Sequence, residues 1–369
     1  MRLRKRKIFG SILLVLVVGL SVFAYAISRN APCPAQPEPA SGTDSMEAVR
    51  YHCYGPSSVL HVERVPKPVI EDDMLLVKVV ASSVNPLEWH FMRGEPYIMR
   101  MQVGFGAPRD PHIGTDFSGV VEAVGKDVKN FKAGDEVFGG AAGAFGQYVR
   151  VRANGNVALK PANVSHEDAA GVAVAAITAL QALRDQGQLK AGQKVLVNGA
   201  SGGVGTYAVQ IAKAMGANVT GVCSTRNVDM VASIGADRVL DYKNVDFTTR
   251  PERYDLIIDT VGSHGLRDLE KVLDPAGKVV LVGSTSTNPW LGPLAAPLKA
   301  MTYGPFSDHE FKFFVAEFSQ KDFEYLAELL GSGRIRTVID RRYPLAQVQE
   351  AVAYVEEGHA RGKVIIDVQ

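Results

Sequence analysis

The chain has 369 residues, 46% of them apolar, with 40 Lys and Arg against 39 Asp and Glu. It can bury a large core, and its charge is too evenly balanced to draw in nucleic acid or another polyanion. Three widely spaced cysteines, Cys33, Cys53 and Cys223, with no C-x-x-C pair, argue against a disulfide framework and a cysteine-rich zinc site; Cys53 and Cys223 read as small buried hydrophobes.

The predicted elements begin with a membrane segment. "MRLRKRK" carries five cations, and the run from Ile8 to Ile27 carries no charge. At about 1.5 Å of rise per residue that run just spans a hydrocarbon core about 30 Å thick. The expectation is one retained N-terminal transmembrane helix over 1–28, with a cleaved signal peptide as the alternative because Ala24-Tyr25-Ala26 has the form of a signal-peptidase site. Residues 29–45, rich in Pro, Ala and Ser, read as a flexible, solvated tether.

Residues 46–165 alternate apolar and polar positions or run β-branched, as in "MEAVRYHCYG" and "LLVKVVASSVNP", which predicts a β-rich domain of short strands. At "SHEDAAGVAVAAITALQALRDQG" the period becomes helical, with Ser165 placed to cap and Asp168 three residues on. Through 166–305, short apolar runs such as "KVLVNG", "NVTGVCS", "YDLIIDTVG" and "KVVLVGS" alternate with helix-period segments, the pattern of an α/β doubly wound parallel sheet. Residues 306–369 are expected to return to the first domain through the strand "FKFFVAEF", two helical stretches and the closing strand "GKVIIDV". An apolar strand of that kind is an exposed edge unless paired, so a homodimer joined there is expected.

Four glycines crowd into "VNGASGGVGT": Gly199, Gly202, Gly203 and Gly205 follow one strand and precede the helix "TYAVQIAKAMG". Such a turn aims bare N–H groups from a helix N-terminus, where a pyrophosphate is favoured. The spacing is one residue longer than G-x-G-x-x-G, and the repeated strand–helix units around it are what identify a dinucleotide site. The next strand ends "VCSTRN", where an NAD site places an acid on the ribose. Here Ser224 and Arg226 are donors and the nearest acid, Asp229, lies beyond the strand end, so NADP(H) is expected.

The order of these motifs, from the β-rich domain through "GASGGVGTYAVQIAKAMGA" and "IGADRVLDY" to "GKVVLVG", resembles the medium-chain dehydrogenase/reductase superfamily over about residues 46–369. "ASSVNPLEW", "FSGVVEAVGKDVKNFKAGDEVFG" and "GHARGKVII" are most similar to its zinc-free quinone-oxidoreductase branch, especially the mitochondrial reticulon-interacting NADPH oxidoreductases and their bacterial relatives. The resemblance implies a GroES-like catalytic domain over 46–165 and a Rossmann NADP-binding domain over 166–305. It implies that Ser201, Gly203 and Val204 lie on the pyrophosphate, that Ser224, Arg226 and Tyr242 surround the adenosine phosphate, and that Gly262 and Gly283 flank the ribose and nicotinamide. Thr178 resembles a family threonine near the nicotinamide, and Asn85 an asparagine facing nicotinamide and substrate; Phe313, His359, Ala360 and Arg361 correspond to cofactor contacts.

Zinc members of the superfamily carry Cys where this chain has Asn85, Gly-His-Glu where it reads Gly114-Thr115-Asp116, and a four-Cys lobe that it lacks. No metal is expected, although Glu88, His90, His112 and Asp116 could in principle be assembled. Without a Lewis acid, NADPH reduction of a quinone or an α,β-unsaturated carbonyl suits the site better than alcohol oxidation. The alternatives are a zinc-free NADP-dependent alcohol dehydrogenase and a membrane-tethered NADPH-binding sensor or interaction protein with little turnover. Tyr97 and His90 are candidate proton donors, and loops 92–110 and 286–306 are expected to line the acceptor pocket. Arg2, Arg4, Lys5, Arg6 and Lys7 outweigh the lone Arg29, so the positive-inside rule sends the body to the trans side, whereas the supply of NADPH favours the cytoplasm; the trans side is the expectation.

Overall fold

A computed structural model describes the chain except residues 1, 36, 41, 43, 285–287 and 291, and except the side chains of 2–13, 293 and 296. In helix α1 (Arg2–Ser28) the described side chains from Leu14 on are mostly apolar, and Leu14, Val15, Leu16, Val17, Val18, Leu20 and Val22 each expose more than half their surface. Among the described residues no helix is long and apolar enough to cross a membrane. The described side chains of α1 begin at Leu14, so the start of the expected span and its flanking cations lie outside them.

The first domain is built from β1 (Ser45–Arg50), β2 (His61–Pro66), β3 (Met74–Val84), β4 (Asp116–Val124), β5 (Glu136–Gly140), β6 (Tyr148–Arg152) and β7 (Val157–Leu159). After β3 come α2 (Pro86–Arg93) and the single turn α3 (Arg100–Val103). Asn85 caps α2, Pro86 opens it with a preset φ, and Gly94 closes it at φ 61°. Ser165 caps the next helix as expected, its Oγ accepting from Asp168 N at 3.0 Å. The expected single helix is two: α4 (His166–Ala170) and α5 (Ala173–Gln181) part at Gly171, where a Cβ would lie 2.5 Å from Thr337 Cγ2.

The second domain holds β8 (Lys194–Asn198), α6 (Gly203–Ala214), β9 (Asn218–Cys223), β10 (Arg238–Asp241), β11 (Tyr254–Asp259), β12 (Leu273–Leu281) and β13 (Glu310–Phe313). All six strands pair in parallel in the order β10-β9-β8-β11-β12-β13, which is the dinucleotide-binding order 3-2-1-4-5-6. Val195, Leu196, Val197, Ile257 and Ile258 are essentially fully buried, as expected of strands covered on both faces. The chain then returns through β14 (Ile339–Pro344) and β15 (Lys363–Asp367) to a seven-stranded sheet ordered β14-β15-β3-β4-β5-β7, with β6 paired to β3.

Two expectations need correction. Of "FKFFVAEF" only the first three residues are strand, as the end of β13 (Glu310–Phe313), and β13 pairs with β12, so the first strand back in the other domain is β14 and not the segment following residue 306. The tether is fastened along its length: Ala31 N donates to Gly106 O at 2.8 Å, Ala40 N to Arg64 O at 2.9 Å, and Cys33 is disulfide-bonded to Cys53. Cys53 is therefore not a free thiol, whereas Cys223 is free and buried. Spacing could not show this bond, because it joins a segment without periodic structure to a turn after β1.

Candidate active site

The strand order reverses between β8 and β11, which opens a crevice at the C-terminal ends of the strands. β8 leads into Gly199, which turns at φ 83° in a place where a Cβ would lie 2.3 Å from Thr260 Oγ1. A Cβ on Gly205 would fall 2.0 Å from Gly199 O. Gly202 and Gly203 differ: nothing approaches their Cβ positions closer than 3.5 Å. Two glycines let the turn close, and two leave bare backbone whose Cβ positions meet neighbours only at ordinary van der Waals distance. The N–H groups of Gly203, Val204 and Gly205, in the first turn of α6, have no acceptor within their own helix. Gly362 N donates to Ser201 O at 2.8 Å, which lays the C-terminal return against this turn.

At the end of β9, Asn227 is buried and donates through Nδ2 to Ser201 Oγ at 3.0 Å and Ser224 Oγ at 3.2 Å; its Oδ1 has no partner among the described residues. Exposed Arg226 donates to His359 O at 2.7 Å, closing the return over the strand end. Ala360 is half-buried beside it, and Arg361 donates its N–H to Asp340 Oδ2 at 2.9 Å while its buried Nε has no partner among the described residues. Tyr242, just past β10, is exposed, and the acid before it, Asp241, is occupied by Thr225 Oγ1, Lys243 N and Asn244 Nδ2. Gly262 and Gly283 lie side by side, a Cβ on the former falling 3.1 Å from the latter's carbonyl oxygen. Asp259 Oδ1 ties the two central strands at the crevice, accepting from Asn198 Nδ2 and Gly262 N at 2.9 Å each. Phe313 ends β13 opposite Leu281 and is partly exposed.

Facing this floor from the first domain is a buried polar cluster. Asn85 N donates to Glu88 Oε2 at 2.7 Å, Asn85 Oδ1 accepts from Lys363 Nζ at 2.5 Å, and Asn85 Nδ2 donates to Asp116 Oδ2 at 3.1 Å. Asp116 Oδ2 also accepts from Ser83 Oγ at 2.6 Å and lies 3.3 Å from Lys363 Nζ, while its Oδ1 accepts from Val174 N at 2.9 Å. Thr178 sits one turn on in α5, half-buried, its Oγ1 donating to Val174 O at 2.7 Å. The Lys363 stem passes 3.5 Å from the Cβ position of Gly203, so its ammonium lies between the glycine turn and Asn85. Asn85 thus turns its amide into the protein rather than only toward a substrate. Burial first, and then the charge of Asp116, push the Glu88 carboxyl up to about 7.

The other candidates stand apart. His90 stacks on Trp89 at 3.6 Å and bonds through Nδ1 to Glu95 O at 2.8 Å, with burial lowering its pKa. His112 pairs with exposed Asp110, and Tyr97 packs on Trp290. The expected acceptor loop 286–306 falls partly outside the described residues. Among the described residues, no group of three His, Cys, Asp or Glu side chains could hold a metal. The donor set also does not fit zinc: between Asn85 Oδ1 and Asp116 Oδ2, where a cation would go, the protein has placed its own ammonium. A dinucleotide does fit, given the bare Gly202–Gly203 backbone and the unpartnered Asn227 Oδ1 and Arg361 Nε. Sequence reasoning missed Lys363, Asn227 and Asp259. Two of them carry a signal, a lysine opening the apolar run "KVII" and an acid ending "DLIID".

Residues 71–162 match the family model described as alcohol dehydrogenase GroES-like domain, and residues 234–366 that described as zinc-binding dehydrogenase. The chain is 35% identical over 338 residues to the chloroplastic quinone-oxidoreductase homolog of Spinacia oleracea, covering 87% of this chain and 98% of that protein. It is 35% identical over 362 residues to the mitochondrial NAD(P)H oxidoreductase RTN4IP1 of Homo sapiens, covering 85% and 87%. The solved quinone oxidoreductase from Coxiella burnetii superposes with a TM-score of 0.75 at 28% identity, over 88% of this chain and 100% of that one. With its two sheets in the order described and relatives that it matches along nearly their whole length, the chain belongs to the medium-chain dehydrogenase/reductase superfamily, among the quinone-oxidoreductase homologues.

Proposed function

We propose that the protein is an NADPH-dependent oxidoreductase that passes a hydride to a quinone or an α,β-unsaturated carbonyl without zinc. The observation that carries this reading is the buried Lys363 ammonium, held by Asn85 and Asp116 beside the bare glycine turn. When bound, NADPH supplies the hydride. Ser201 and the first-turn N–H groups of α6 hold the pyrophosphate. Asn227 sets the Ser201 and Ser224 hydroxyls, and Ser224, Arg226 and Tyr242 take the 2′-phosphate. Gly262 and Gly283 leave room for ribose and nicotinamide, Thr178 lines the nicotinamide side, and Phe313, His359, Ala360 and Arg361 close over the cofactor. Lys363 contributes a preorganised positive charge where charge develops on the acceptor, and solvent supplies the proton.

The full chain in detergent, treated with a chelator, should oxidise NADPH with a quinone or an enone and, given NADP+ in place of NADPH, leave a secondary alcohol untouched. Turnover of the alcohol alone would establish the dehydrogenase alternative. Tight NADPH binding with no turnover of any acceptor would establish the sensor.

On the same reading α1 is a retained single-pass anchor, the body lies on the trans side, and a second copy pairs at the open edge of β13. The flanking cations support this orientation, as does the Cys33–Cys53 bond, since disulfides persist in oxidising compartments. That bond also favours the sensor reading, because NADPH is kept reduced on the other side. Against a cleaved signal stands Ile27, buried to 1% exposure in the body. A reporter fused after Gln369 and carbonate extraction test the arrangement, and a mature chain beginning near Ile27 would contradict it.

A further inference from the structure

The end of α1 is built into the rim of the cleft. Arg100 is 1% exposed and lies on the loop that follows α2. Its Nη1 donates to Ile27 O at 3.0 Å and to Arg29 O at 3.4 Å, so a cation caps the orphan carbonyls at the helix C-terminus. Its Nε and Nη2 donate to Gly94 O at 2.8 Å and Arg93 O at 3.1 Å, at the far end of the helix that Asn85 caps. The guanidinium is flanked by the rings of Tyr54 and Tyr97, at 4.5 and 4.6 Å. Asn30 Nδ2 donates to Tyr54 O at 3.3 Å, Ala31 N to Gly106 O at 2.8 Å, and Cys33 is covalently tied to Cys53. Four ties within seven residues leave the body no freedom to swing on a tether.

The same loop crosses to the other domain. Tyr97 N donates to Pro289 O at 2.7 Å, and the Tyr97 ring meets Trp290 at 5.1 Å. Pro289 and Trp290 lie on the segment that leaves β12 past Gly283, so the two domains meet over the cleft where α1 enters the body. Here the surface is apolar: Ile98, Met101, Phe105 and Trp290 are 44 to 49% exposed, and Tyr25, in the last turns of α1, is 65% exposed. Large apolar side chains at the foot of an apolar helix, with Tyr and Trp among them, have the composition of a membrane interface.

We propose that the body sits on the bilayer that holds α1, with this rim against the lipid, and that the acceptor is a lipid-tailed quinone entering from the bilayer. The inference rests on the quinone-reductase and anchor readings given above, and continuity with α1 identifies the bilayer as what covers the rim. In the reaction, a hydride carries two electrons from the dihydronicotinamide to the quinone, a solvent proton completes the hydroquinone, and the nicotinamide is left oxidised.

Two experiments on the full chain in liposomes test the proposal. In the first, Trp89→Phe leaves Trp290 as the sole tryptophan, and brominated lipids should quench its fluorescence; an unquenched Trp290 overturns the seating. In the second, one quinone head is supplied with and without an isoprenoid tail. Ile98→Asn with Phe105→Asn should lower kcat/KM for the tailed quinone about ten-fold more than for the tail-less one. Equal loss on both, or no loss, overturns the entry route. If the wild type reduces neither quinone while Trp290 is quenched, the quinone reading fails and the seating stands.

Discussion

The glycine turn and the Asn85–Asp116–Lys363 cluster face each other across one cleft and are built on opposite principles. The turn is backbone from one short stretch, and what it needs is the absence of side chains: a Cβ on Gly205 would meet a carbonyl oxygen at 2.0 Å, whereas one on Gly203 would meet nothing nearer than the Lys363 stem at 3.5 Å. The cluster gathers side chains from β3, β4, α2 and β15, and what it needs is charge balance, because Asp116 and Lys363 are 0% and 2% exposed. Changes in the cluster should therefore move stability, and changes along the cofactor floor should move cofactor affinity.

The largest expected effect comes from breaking the cluster. Lys363→Met strands the Asp116 carboxylate in the core and should cost about 3–5 kcal/mol in denaturant unfolding. Adding Asp116→Asn should recover most of that loss, whereas simple additivity of the two would show that the charges do not act as a pair.

A somewhat smaller effect belongs to Glu88, whose folded value of about 7 stands above its ordinary 4.5. Between those values the unfolded chain has released its proton and the folded one has not, so the contribution of Glu88 to stability should fall as pH rises from about 4.5 to about 7 and level off above. Glu88→Gln removes this slope, worth about 3 kcal/mol over the window, and keeps an acceptor for Asn85 N. Parallel unfolding curves for the two proteins across pH would refute the assignment.

The smallest effect lies on the cofactor floor. Arg226→Ala should weaken NADPH binding about ten-fold in titration calorimetry, leave NADH binding nearly unchanged and leave unfolding untouched. Equal weakening of both cofactors would remove Arg226 from the 2′-phosphate.

How much of this was legible in the sequence follows the same division. The turn could be read because its requirement is local, glycines between a strand and a helix, and the alternation of "KVLVNG" with helical segments gave the parallel sheet around it. Asn85 could be singled out by resemblance, but its partner Lys363 lies 278 residues away, and no periodicity links the two. Asn227 was invisible for a similar reason, since its worth lies in bridging Ser201 and Ser224. The tether was misread because polar composition predicts solvation, and composition cannot register a buried Arg100 or a disulfide partner beyond β1.

Hydride transfer from NADPH to a small electrophile, with a protein ammonium held between Asn85 and Asp116, is tested most directly by isotope transfer. The chelator-treated full chain would be given NADPH deuterated at the transferred position together with an enone. One deuterium is expected on the β-carbon of the reduced product, at a rate unchanged by added zinc. A product without deuterium, or activity abolished by chelation and restored by zinc, would contradict it.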